Sequence, residues 1–469
     1  MFITKKIPAI WASLLCSCLL VVQANANALS EQQLEQLEAL KKTSLESDLS
    51  YQIIESLTTE VGNRLMGTPG DEKSVKWAVA KMKALGFDNV WTEEVTKTLW
   101  LRGDMEVSIT APYSQKMVAL ALGGSVGTGN NGLEAEVVHF KDLAALKAAP
   151  KGSLKGKIAF VSYRMSAHVD GKGYGKAVGT RVYGASIAAE KGAVALIMRS
   201  VGTDDNRTAH TGVMRYKEGI KKIPAAALSN PDADLLVNQL KRGKPVSVYL
   251  KMTSETKEDV IVKSYNVIGE LTGRTMPEQI VSIGAHLDSW DVGTGAIDDG
   301  LGIGMVMAAA HHISQLPERP NRTLRVILFA AEEVGLLGAK KYVEVHKDNM
   351  KNHVLGAEWD FGLGRIYKMK TGVGANALNA MRDFAQLLAP LGVALAPENN
   401  ARAQSDMGAL TDAGMPSVSF SPDGSRYFDY HHTENDTLDK IDPADLKQNT
   451  AVYTMFAYFA AMADVDFRK

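Results

Sequence analysis

Histidines and carboxylates recur in short clusters through the C-terminal half of the chain: His286-Leu287-Asp288, Asp298-Asp299-Gly300, Glu332-Glu333, Asp360 and His431-His432. Convergent imidazole and carboxylate ligands without cysteine suit one or two zinc ions. A two-metal hydrolytic site needs a carboxylate between the ions, further ligands on each, and a base beside the water. Adjacent Glu332 and Glu333 make sense as a divided pair, one on a metal and the other free to move a proton. Asp288, two residues beyond His286, is expected to accept the second ring N–H of that histidine and fix its tautomer. Each cluster alone is weak. Asp-Asp-Gly is most often a turn and Glu-Glu most often a solvated face. Their order and placement together make the case.

These residues need elements to position them, and the pattern supplies strand ends. From about residue 260, apolar runs alternate with helical periodicity: strands over 279–285, 323–330, 354–358 and 417–421, with helices over 302–316 and 337–346. That alternation predicts an α/β fold with a mixed, mostly parallel sheet and helices on both faces. Ligands in open α/β sheets collect beyond the carboxyl ends of strands, where each cluster falls. Helices are also expected over 29–65 and 71–85. Between residues 112 and 255 the texture differs. Short β-like runs are separated by Gly- and Asn-rich turns, with a helix over 180–191, and the metal-type clusters are absent. This stretch reads as a β-rich inserted domain between two parts of a catalytic domain, 29–111 and 256–469. His139, His168, His210, His311, His312, His346 and His353 stand apart from the clusters and read as structural.

The chain has 469 residues, with 45% hydrophobic and 22% charged, an ordinary globular composition. Lys and Arg total 52 against 53 Asp and Glu, so no global field favours nucleic acid or an anionic membrane. The N-terminus carries Lys5 and Lys6, an apolar run over 7–22 and small residues before 28. That is the pattern of a secretory signal peptide over 1–28, implying a periplasmic or secreted protein without stable membrane insertion. Both cysteines, Cys16 and Cys18, lie inside it, so cleavage would leave neither a disulfide nor a cysteine nucleophile.

Gly284-Ala285-His286-Leu287-Asp288-Ser289-Trp290-Asp291, Gly295-Ala296-Ile297-Asp298-Asp299-Gly300, Ala330-Ala331-Glu332-Glu333-Val334-Gly335 and His432-Thr433-Glu434-Asn435-Asp436-Thr437 together resemble the signature of co-catalytic zinc peptidases of family M28. The insert resembles a protease-associated domain. The resemblance implies two zinc ions per chain. His286 and Asp360 would hold one, Glu333 and His432 the other, Asp298 would bridge them, and Glu332 would be the general base. It selects His432 over His431 by motif position. Asp360 matches more loosely, with Glu358 two residues away. The implied activity is hydrolysis of unblocked dipeptides or short peptides by a metal-bridging hydroxide. An aminopeptidase on longer peptides is the nearer alternative; a single-zinc glutaminyl cyclase-like enzyme and a non-catalytic binding protein are remoter. The resemblance also suggests a homodimer, with the insert as a lid or dimer contact.

Overall fold

A computed structural model describes residues 28–469. Cys16, Cys18 and the expected signal segment, save Ala28, lie outside the described residues. Two eight-stranded sheets organise the chain. The first runs in the order Asn89–Leu101, Glu255–Leu271, Arg322–Phe329, Met276–His286, His353–Glu358, Ser417–Pro422, Ile366–Gly372, Ala394–Leu395. Its centre is parallel: Met276–His286 pairs in parallel with both Arg322–Phe329 and His353–Glu358, and the latter with Ser417–Pro422. Glu255–Leu271 and Ile366–Gly372 flank that centre in antiparallel register.

The central strand Arg322–Phe329 is buried at every position, as a strand covered on both faces must be. Successive side chains divide between the faces. Leu324, Val326 and Leu328 join one apolar cluster, with helices Leu301–Ser314 and Pro443–Met462. Ile327 and Phe329 join another, with helices Leu337–His346 and Ser405–Asp412. The expected helix 29–65 forms as two, Glu31–Glu46 and Leu49–Glu60; the first opens on Ser30 in a capping box with Gln33. Pro443–Met462, whose last two-thirds are buried all round, shows little of the one-sided periodicity that marks a surface helix.

All strands of the second sheet come from residues 105–252. Met105–Ala111 pairs with Ser247–Met252, so this sheet starts before the boundary expected at 112. The stretch also carries more helix than a β-rich reading implies: Leu143–Ala148, Tyr174–Glu190 and Asn230–Leu240. Ile158–Val161 and Ala195–Arg199, parallel to each other and fully buried, need that helical cover. The two sheets meet close to the clusters. Arg102 pairs with Asp291 at 2.5 Å. Gly123 lies so close to the Trp290 ring that a Cβ there would sit 2.1 Å from it. No described helix is long and apolar enough to cross a membrane.

Candidate active site

The parallel strands deliver the clusters to one crevice. Met276–His286 ends on His286, Arg322–Phe329 runs on to Glu332 and Glu333, and His353–Glu358 runs on to Asp360. The loop after Ser417–Pro422 leads to His432. Asp298 lies between the imidazoles. Its Oδ1 is 3.0 Å from His286 Nε2 and its Oδ2 is 3.2 Å from His432 Nε2. Asp360 Oδ1 approaches the same His286 nitrogen at 3.2 Å, and Glu333 Oε2 the same His432 nitrogen at 3.0 Å. Two groups of candidate ligands therefore share one carboxylate. Glu332 belongs to neither; it faces the same cavity, of about 280 Å³, and accepts from Ser405 Oγ at 3.1 Å.

Glu358 turns away and accepts the Met407 N–H at 2.9 Å, which leaves Asp360 beside His286. His431 stacks on His432 with ring centroids 3.5 Å apart, and its Nε2 stands 3.7 Å from Asp298. Asp288 differs from expectation. Its main-chain carbonyl, not its carboxylate, accepts from His286 Nδ1 at 2.9 Å; the carboxylate is 3.7 Å away, too far for a hydrogen bond. That carboxylate instead accepts the N–H groups of Glu332 and Glu333, at 2.9 and 3.2 Å. It ties one strand end to the next.

Several residues position the clusters through partners that the local sequence does not show. Asp436 accepts from the N–H groups of Ile297 and Asp298 at 2.6 and 3.2 Å. Asp299 accepts from the His286 N–H and caps the following helix through Gly302 N–H, both at 3.1 Å. Arg64, fully buried, donates to the carbonyls of Leu287, Thr294 and Gly295. The second sheet contributes as well. Thr211 N–H donates to the His432 carbonyl and Thr211 O accepts from His432 Nδ1, while His210 bonds the His431 carbonyl at 2.7 Å and Asp204 at 2.6 Å. His210, read as structural from sequence, thus touches the loop that carries His432. Of the described non-glycine residues with positive φ, Leu336, Ser405 and His432 line this cavity and Ala331 directly precedes Glu332, at a site of the kind where such conformations collect.

The electrostatics favour bound cations. Burial pushes the Glu333 carboxyl up to about 7, with the Asp298 charge adding to it and His432 opposing. Burial, then the Asp360 charge, drives Glu332 well above the usual carboxylate range. Burial would raise Asp298 also, but hydrogen bonds from His286 and His432 hold it well below. Glu333 Oε1 is buried without a partner. Clustered carboxylates with an orphaned oxygen and two imidazole nitrogens form a donor set that suits zinc. With Nδ1 of each histidine turned to a backbone carbonyl, Nε2 is the nitrogen that can ligate once it gives up the proton shared with Asp298.

The model of peptidase family M28 matches residues 266–457. Carboxypeptidase Q of Mus musculus is 34% identical over 417 residues, covering 89% of this chain and 86% of its own. A solved structure, a peptidase M28 precursor from Shewanella amazonensis, is 50% identical with a TM-score of 0.91, covering 93% of this chain and 98% of that one. A zinc aminopeptidase from Bacillus subtilis shares the fold, at 22% identity and a TM-score of 0.63, covering 90% and 98%.

Proposed function

The chain belongs to peptidase family M28, and from that premise we propose that it is an exported, zinc-dependent exopeptidase acting on unblocked dipeptides or short peptides. One observation carries the reading: the two oxygens of Asp298 face two different imidazoles while Glu332 stands free beside them. His286 and Asp360 would hold one zinc ion, His432 and Glu333 a second, with Asp298 shared. Bound there, zinc would polarise the scissile carbonyl and acidify water. Glu332 takes the proton from the attacking water and returns it to the departing nitrogen. The Ser405 hydroxyl steadies one Glu332 oxygen and leaves the other for that transfer. Asp288 holds the N–H groups of both glutamates and so keeps base and ligand in register. Residues 105–252 form the protease-associated-like insert in this reading, and the N-terminal segment is the export signal.

A panel of dipeptides and longer peptides with free and blocked termini, with and without chelator, tests the assignment. Chelator-sensitive hydrolysis of free dipeptides is expected. Activity untouched by exhaustive zinc removal would exclude the metal-dependent reading. Stepwise N-terminal trimming of long peptides, at rates matching the dipeptides, would make the enzyme an aminopeptidase instead, the activity named for the more distant relative aminopeptidase YwaD of Bacillus subtilis, 23% identical.

A further inference from the structure

The cavity that holds the carboxylate cluster also carries positive charge that the proposed chemistry does not use. Arg181, on the helix Tyr174–Glu190 of the second sheet, is 5% exposed and lines the cavity together with Glu332, Glu333 and Asp360. Its Nη2 donates to Tyr174 Oη at 2.7 Å, and its Nε is buried without a partner. Its Nη1 stands 3.4 Å from His432 Nδ1. That nitrogen carries the proton given to Thr211 O and cannot also accept. Among the described residues Arg181 forms no ion pair within 4 Å, and neither does Arg215, which lines the cavity as well. Near Arg215 the half-buried Lys97 donates to the Val334 carbonyl, at 3.3 Å. Burial and then the charge of Arg215 lower its pKa, as expected of two cations near one another.

A guanidinium buried with most of its donors unmet is costly unless a ligand meets them. Its planar fork matches a carboxylate in two parallel hydrogen bonds. A cavity of about 280 Å³ lies at the small end of ligand sites. It holds the guanidinium and the metal-type cluster around one small space. We propose that Arg181, with Arg215 at the rim, anchors the C-terminal carboxylate of the substrate, so that the site selects peptides whose free carboxylate lies within reach of the metal ligands. The proposal rests on the peptidase reading and narrows its substrate to dipeptides and their near equivalents. It also assigns the second sheet a part in specificity.

Alanylalanine and alanylalanine amide, compared on the zinc-loaded protein, test it. The wild type should favour the acid in kcat/KM by roughly 100-fold, since a buried polar site rejects an analogue lacking its partner. Arg181→Met and Arg215→Gln should each reduce that ratio roughly tenfold or more, through KM for the acid, with Arg181→Lys intermediate. Titration calorimetry of Glu332→Gln protein reads binding without turnover: the acid should bind and the amide bind far more weakly. Added Arg181→Met should abolish that difference. Equal kcat/KM for acid and amide in the wild type would overturn the anchor while leaving the peptidase reading standing. So would an acid-to-amide ratio unchanged in both variants. If neither compound is hydrolysed, the peptidase reading fails, and the calorimetric comparison still decides the anchor. Should Arg181→Met misfold, Arg215→Gln and the wild-type ratio decide it.

Discussion

Glu332 and Asp298 make opposite demands on the same cavity, and substitution separates them. Glu332 accepts one hydroxyl and is otherwise free, whereas Asp298 contacts both histidines. Glu332→Gln should keep its zinc and lose at least about 100-fold in kcat, the usual size of an acid–base contribution. Asp298→Ala should lose zinc itself. Metal analysis beside steady-state kinetics checks both; near-normal turnover in the first, or full zinc content in the second, contradicts the roles. Most of these side chains were legible from residue type and order. Asp288 was legible as a member of the site but not in its contact. The sequence shows that it stands two residues from His286, but not that its backbone carbonyl would reach the ring first. The positioning carboxylates Asp299 and Asp436 were visible only as motif letters, because their partners are backbone N–H groups.

The elements deliver these residues through strand ends and through one segment of the second sheet. Alternating apolar runs made the central strands readable, since burial on both faces demands a continuous apolar stretch. The 204–211 segment was not readable, because its role depends on a contact more than two hundred residues away along the chain: His210 on the His431 carbonyl, and Thr211 on both the carbonyl and the ring of His432. Those bonds hold His432 at φ 63. His210→Ala should therefore weaken zinc affinity at the His432–Glu333 group by roughly 10–100-fold, as loss of an orienting partner does elsewhere. Zinc titration resolves this. Two binding steps matching the wild type would show that the segment merely packs against the loop.

Over the whole molecule, buried carboxylates and two buried arginines, Arg64 and Arg181, surround a site that gains from bound cations. Chelation should lower stability as well as activity, because an ion bound only by the folded state stabilises it by mass action. Thermal unfolding after chelator dialysis should fall by roughly 5 °C or more and return with zinc; an unchanged midpoint would show that the cluster tolerates its own repulsion. What the sequence determined by itself was the chemistry and the class of fold. Residue type dictates which metals and proton transfers are available, and hydrophobic period dictates strand and helix locally. What only the tertiary structure decided was which polar groups meet. Asp288 on the glutamate N–H groups, Arg64 on three loop carbonyls, and Arg181 lining one cavity with Glu332 all join segments distant in the chain. Hydrogen bonds and charge pairing act over a few ångströms of space, and sequence separation carries no record of that distance.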